Sequence, residues 1–173
     1  MNTNDKKFNS KVIHSGHEAD ESTGAVMPPI HLSSTFKQKS PGDFKYEYAR
    51  TGNPTRDILE KLLKEIENGK FGFAFSSGMA AISALSDALG NNYSIISSDD
   101  VYGGTRRIFD KIKSVNQNID VTYVDLSKDN NWQGHIKENT KMIWLETPSN
   151  PLLKVIDIKK IKESLNSQDI IIV

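Results

Sequence analysis

Residues 71–98 read FGFAFSSGMAAISALSDALGNNYSIISS. Phe71 to Phe75 is a short run of aromatic and small apolar residues, suited to a pleated strand. Two serines and a glycine follow. Met79, Ile82, Leu85 and Leu89 then recur at helical spacing, which predicts a helix over 78–89 with those four side chains turned inward. Tyr93 to Ser97 returns to a strand pattern. Strand, turn, helix and strand in this order form the unit from which a parallel sheet with right-handed crossovers is built.

The alternation continues to the last residue. A helix is expected over 105–115, with Ile108, Phe109, Ile112 and Val115 on one face, then a strand over 119–124 and a weaker helical region over 132–138. A strand over 142–146, a helix over 157–165 carrying Ile158, Ile161 and Leu165, and a buried β-branched strand over 169–173 complete it. The fold class expected is therefore α/β, a mostly parallel sheet flanked by helices on both faces.

Upstream, Asn53 is a suitable helix cap and Pro54 fits the first turn. Ile58, Leu59, Leu62, Leu63 and Ile66 form one stripe and Gly69 is a stop. Asp57 with Lys61 and Glu60 with Lys64 are expected to pair on the wet side. Residues 1–53 lack a long periodic segment and cannot build a core alone. They read as an arm lying on another surface, in this chain or a neighbouring one.

The bulk composition excludes several classes. Lys+Arg and Asp+Glu both total 22, so a formal net charge of zero provides no attraction for nucleic acid or an anionic membrane. With no Cys there are no disulfides, thiolate metal sites or cysteine nucleophiles. No stretch approaches a membrane span, and the N-terminus has no apolar signal-like run, so a cytoplasmic protein is expected. His14, His17, His31 and His135 show no metal-ligand spacing.

Ligands of open α/β sheets collect at the carboxyl ends of the strands. Four stretches there, or just before the sheet, carry usable chemistry, and each leaves two readings open. Ser76-Ser77-Gly78-Met79 runs from strand into helix, where free N–H groups suit a phosphate, or where a serine simply caps the helix. Tyr102, beside Gly103 and Gly104, either stacks on a planar ligand or plugs the sheet. In Glu146-Thr147-Pro148-Ser149-Asn150-Pro151 the prolines stiffen a loop that offers Asn150 to a ligand oxygen, or is only a turn. Arg50, beside Tyr48, is either an oxyanion clamp or a solvated charge.

Taken together and in this order, Tyr48-Ala49-Arg50-Thr51-Gly52-Asn53-Pro54-Thr55-Arg56, Phe75-Ser76-Ser77-Gly78-Met79, Asp99-Asp100-Val101-Tyr102-Gly103-Gly104-Thr105 and Glu146-Thr147-Pro148-Ser149-Asn150-Pro151 resemble the successive signatures of the Cys/Met-metabolism pyridoxal-phosphate (trans-sulfuration) family. The match runs from about Lys11 to Val173. The resemblance implies an incomplete fold type I large domain, like that of aspartate aminotransferase, over 54–173, with 1–53 as an arm contacting a neighbouring subunit. Gly78 and Met79 would donate N–H groups to the cofactor phosphate with Ser77 nearby. Tyr102 would stack on the pyridine ring and assist proton movement, Asn150 would lie near the ring's phenolic oxygen, and Glu146 would support that loop. Tyr48 and Arg50 would reach the phosphate in a neighbouring subunit, which implies an obligate oligomer, a tetramer in the full-length enzyme.

Tyr48 to Thr55 resembles γ-synthases and γ-lyases more than cystathionine β-lyases, so the implied substrates are cystathionine, cysteine or an O-acyl homoserine. Methionine γ-lyase and O-acetylhomoserine sulfhydrylase are alternatives within the family. The family's Asp for the pyridine nitrogen and its Schiff-base Lys would both fall after Val173, and Thr140-Lys141 does not match that lysine's segment. A truncated chain, inactive alone, is therefore expected. An assembly or phosphate-ligand-binding module is the alternative outside catalysis.

Overall fold

A computed structural model describes residues 7–128, 132–165 and 169–173. The chain divides into two compact units, Met1–Phe75 and Ser76–Val173. Among the described residues no helix is long and apolar enough to cross a membrane.

The first unit holds α1 (Phe8–His14) and α2 (Pro54–Ile66). Helix α2 begins as its sequence dictates, with Pro54 in the first turn and the Asn53 side chain accepting from Thr55 N at 2.9 Å. At its end Asn68, not Gly69, takes the left-handed conformation (φ 51°), while Gly69 N bonds back to Lys64 O at 2.8 Å. The expected charge pairs are displaced: Asp57 accepts the Tyr46 hydroxyl at 2.7 Å, and Glu60 faces Arg56 at 3.7 Å and takes Ala74 N at 2.9 Å.

Helix α1 is too short to declare itself by periodicity. The chain after it turns at Gly16 (φ +88°), where a Cβ would lie 2.6 Å from Ile58 O, so α2 packs directly on its backbone. Ser15 is the one residue of this unit that is fully buried among those described. Val26, Met27, Ile30 and Leu32 are all more than two-thirds exposed, in keeping with a segment that has no core of its own.

The strand expected over 71–75 does not form. The segment has no regular structure, and its partners are in α2: Ala74 N reaches Glu60 Oε1, and a Cβ on Gly72 would meet Glu60 O at 2.2 Å. Phe71 and Phe73 are about three-quarters exposed. A strand exists only by pairing, and nothing described in this unit pairs with it.

The second unit carries one parallel sheet, β1 (Ser94–Ser98), β2 (Asp120–Val124), β3 (Thr140–Trp144) and β4 (Ile171–Ile172), in the order β2-β1-β3-β4. Side chains alternate across it. Ile95 and Met142 face a cluster with Phe109, Trp144 and Tyr93, against which Ile82 and Leu85 of α3 (Gly78–Ala88) and Leu89 just after it pack. Ile96 and Ile143 face the opposite cluster, with Trp132 from a 3-10 turn (Trp132–His135) and Ile161 from α5 (Ile158–Glu163). Helices therefore cover both faces, as the α/β reading requires.

Two local expectations fail for physical reasons. Helix α4 (Gly103–Ile108) continues through a π turn (Phe109–Lys113) into a last turn (Ser114–Asn116). The wider turn rotates the side chains on its C-terminal side, so Ile112 and Val115 are exposed while Lys113 is buried and pairs with Asp87 at 2.5 Å. Strand β4 is shorter than expected and Ile171 is 37% exposed, because among the described residues β4 lies at the sheet edge, paired with β3 alone.

Candidate functional site

The second unit gathers its loops at the carboxyl ends of the strands. Helix α3 opens there with Ser77 as cap, its Oγ accepting from Ala80 N at 3.1 Å and its carbonyl from Ala81 N at 3.2 Å. The capping reading of Ser77 is thus correct, and it leaves the anion reading intact. No acceptor among the described residues takes the N–H of Gly78 or Met79, and the space where a Gly78 Cβ would sit is open. Two unpaired donors at the positive end of an 11-residue helix suit an oxyanion.

Tyr102 stands where β1 passes into α4, with its ring half exposed. Gly104 keeps the turn narrow: a Cβ on it would lie 2.4 Å from Tyr102 Cε1 and 2.9 Å from Met79 Sδ. The phenol ring and the start of α3 therefore meet over Gly104, a position only glycine can occupy without displacing them.

Glu146 joins the loop after β3 to this turn. One carboxylate oxygen accepts from Tyr102 N at 2.8 Å and the other from the Thr105 hydroxyl at 3.1 Å, with Trp144 Nε1 at 3.5 Å. Its own N–H donates to Ser98 Oγ at 3.3 Å. A carboxylate that accepts from the N–H of Tyr102 and the hydroxyl of Thr105 fixes where the aromatic ring is presented.

Further along this loop the peptide bonds before Pro148 and Pro151 are cis. Asn150, between them, is exposed, and its amide has no partner among the described residues. Ser149 is buried: its Oγ donates to Asp100 Oδ2 at 2.5 Å and accepts from Lys154 N at 2.8 Å. Leu152 N donates to the same Asp100 oxygen at 2.8 Å. Lys154 Nζ binds both oxygens of Asp99 (2.8 and 2.9 Å) and Asp125 Oδ2 at 2.8 Å. The Lys154 ammonium, with help from Ser127, holds the Asp125 carboxyl down at about 2. These two carboxylates in turn hold Lys154 protonated, Asp125 most strongly.

The structure thus brings Ser77, Gly78, Met79, Tyr102 and Glu146 together, and ties the Asn150 loop to the strand end that bears Tyr102. Tyr48 and Arg50 belong to the first unit. There the Arg50 guanidinium lies 5.0 Å over the Tyr48 ring, and the Tyr48 carbonyl accepts from Thr51 N, Gly52 N and the Thr51 hydroxyl. Both side chains are exposed. Asp100, Ser149, Thr105 and Lys154 had no role in the sequence reading. The acidic pair after β1 was visible, but only the fold shows that Asp100 turns inward while Asp99 pairs with Lys154.

The arrangement suits pyridoxal phosphate: free N–H donors for its phosphate, a half-exposed phenol for its ring and an exposed amide for its ring oxygen. Residues 9–173 match the sequence profile of the family described as Cys/Met metabolism PLP-dependent enzyme. A cystathionine gamma-lyase of Dictyostelium discoideum is 42% identical over 167 residues, 95% of this chain and 43% of the relative. A cystathionine beta-lyase of Lactococcus lactis subsp. cremoris is 49% identical over 161 residues, 92% of this chain and 42% of the relative. The crystal structure of cystathionine gamma-lyase from Lactobacillus plantarum complexed with L-serine superposes with a TM-score of 0.89 at 41% identity, covering 96% of this chain and 44% of that one. The chain spans under half the length of the relatives it matches. They include γ-lyases and β-lyases alike. With its profile match, its parallel sheet and the convergence of its strand-end loops, the chain belongs to the Cys/Met-metabolism family of pyridoxal-phosphate-dependent enzymes.

Proposed function

We propose that this chain supplies the phosphate- and ring-binding face of a trans-sulfuration enzyme acting on a sulfur amino acid or homoserine ester: cystathionine, cysteine or an O-acyl homoserine. Synthase and lyase chemistry both fit this face, and methionine γ-lyase or O-acetylhomoserine sulfhydrylase activity remains within it. The observation that carries the reading is the meeting of the α3 N-terminus, the Tyr102 turn and the Glu146 loop around Gly104.

Each residue has one task in this reading. Gly78 and Met79 donate N–H groups to the phosphate, with Ser77 holding the helix end open by capping it. Tyr102 covers one face of the ring, and its hydroxyl, unpaired among the described residues, moves a proton at the substrate amine. Asn150 hydrogen-bonds the phenolic oxygen, and Glu146 holds the Tyr102 turn. Bound pyridoxal phosphate supplies an electron sink for cleaving bonds next to the amino-bearing carbon. Tyr48 and Arg50 act on the phosphate of a neighbouring subunit, which makes the working enzyme a homo-oligomer, a tetramer when full-length. The exposed apolar residues of the 1–53 arm support that role.

A second reading is favoured by the lysines. Lys154, in the loop after β3, is held in two ion pairs. Lys141 of the Thr140-Lys141 pair instead lies 5.9 Å over the Tyr93 ring. In this second reading the chain alone binds a phosphate-bearing ligand or assembles with partners, without covalent chemistry.

Titration with pyridoxal phosphate, followed by borohydride reduction and peptide mapping, tests both. Reversible binding that Gly78→Val weakens at least about tenfold, through loss of phosphate contacts, is the expected result. Specific labelling of one lysine would overturn the non-covalent expectation. Binding unaffected by Gly78→Val would overturn the phosphate assignment.

A further inference from the structure

The turn that presents Asn150 is held from beneath by a buried carboxylate. Asp100 is 9% exposed, and a single oxygen, Oδ2, receives both the Ser149 hydroxyl at 2.5 Å and the Leu152 N–H at 2.8 Å. These two donors flank Asn150 in the chain. Ser149 is 1% exposed, and its oxygen also receives Lys154 N, while Ser149 N donates to Lys154 O at 2.9 Å. The loop is therefore pinned on both sides of the exposed Asn150 amide, and the pin comes from the same strand end that carries Tyr102.

We infer that Asp100 is a positioning residue: it fixes the 149–152 turn so that the Asn150 amide is presented at a constant place relative to the Tyr102 ring. This rests on the proposed function, in which Asn150 meets the cofactor's phenolic oxygen. Asp100 and Tyr102 are two residues apart on a segment leaving β1, so a carboxylate bond from Asp100 to the 149–152 turn links the two groups through a short, stiff path. Without that acceptor the buried Ser149 hydroxyl is left unpaired and the more exposed Leu152 N–H must turn to water, so the turn must move to satisfy them. Asparagine at position 100 keeps one carbonyl oxygen able to accept both donors, whereas alanine keeps none.

The test uses the full chain loaded with pyridoxal phosphate, reading cofactor affinity and the pH at which its visible absorption band changes. Asn150→Ala sets the scale for losing the amide. Asp100→Ala is expected to weaken cofactor binding roughly tenfold, as loss of a charge-assisted anchor does, and to move the spectral midpoint in the same direction as Asn150→Ala. Asp100→Asn should recover most of both effects. The double variant Asp100→Ala/Asn150→Ala should be no worse than Asn150→Ala, because both act through one group.

If Asn150→Ala shifts the spectrum while Asp100→Ala stays within twofold in affinity with an unmoved midpoint, the inference fails and the reading of Asn150 stands. A silent Asn150→Ala overturns that reading and the inference with it, as does a parent chain that binds no cofactor. Should Asp100→Ala not fold, Ser149→Ala removes one of the two donors and serves instead. A smaller shift of the same sign then supports the latch, and an unchanged spectrum overturns it.

Discussion

Truncating Glu146 to alanine removes the acceptor for three donors at once: Tyr102 N at 2.8 Å, the Thr105 hydroxyl at 3.1 Å and Trp144 Nε1 at 3.5 Å. The three losses are unequal. Tyr102 is half exposed, so water can take over its N–H, and the indole contact is long and weak. The Thr105 side chain is fully buried, so its hydroxyl has no solvent to turn to. A bond to a charged acceptor contributes roughly 1.5–3 kcal/mol and an orphaned buried donor costs about 1–3 kcal/mol. A carboxylate beside a helix N-terminus adds about 0.3–1 kcal/mol. Allowing for overlap among these terms, Glu146→Ala is expected to cost about 2–4 kcal/mol. Glu146→Gln should cost about 1 kcal/mol, because the amide can give its oxygen to Tyr102 N and its NH2 to the Thr105 oxygen, losing mainly the charge. Urea denaturation followed by circular dichroism measures both, since the fluorescence of Trp144 responds directly to the substitution. Alanine costing under about 0.5 kcal/mol, or glutamine costing as much as alanine, would refute the claim that this carboxylate holds the turn by geometry.

Gly104→Ala is expected to leave stability within about 1 kcal/mol, because the atoms it strikes are the ends of two side chains, one half exposed. Cofactor affinity should fall, since the Tyr102 ring must swing aside; unchanged affinity would remove that ring from the site. Phe109→Ala, at a residue fully buried and edge-on to Trp144 at 5.5 Å, should cost about 3–5 kcal/mol in the same denaturation assay. Gly16→Ala should destabilise the first unit by about 1–3 kcal/mol or more, since φ +88° and a backbone oxygen 2.6 Å away leave nothing able to yield. Asp125 has its carboxyl lowered from 3.8 to about 2, so its stabilising contribution is complete above 3.8 and is lost as pH falls toward about 2. The acid limb of a stability-against-pH curve should flatten in that interval in Lys154→Met, and an unchanged limb would show the pairing to be energetically silent.

Local periodicity was enough to read the alternating strands and helices of 76–173 and the Asn53-Pro54 start of α2, because each depends on neighbours a few residues away. The four loop motifs were also legible, since a glycine beside a tyrosine or a serine pair ahead of a helix declares itself in any context. The strand expected at Phe71 to Phe75 was not decided locally: apolar alternation creates a surface to pair, and pairing needs a second strand, which the described residues of the first unit do not offer. The inward face of α4 was misjudged because a π turn, invisible to a 3.6-residue rule, exchanged Ile112 for Lys113. Among the candidate site residues, sequence supplies the donor and acceptor types but not which partner each one takes. Sequence separates Asp99 from Asp100 by one position and cannot say which turns inward. Only the packed sheet, which brings position 100 to position 149 across 49 residues of chain, made one aspartate the partner of Lys154 and the other the anchor of the Asn150 turn.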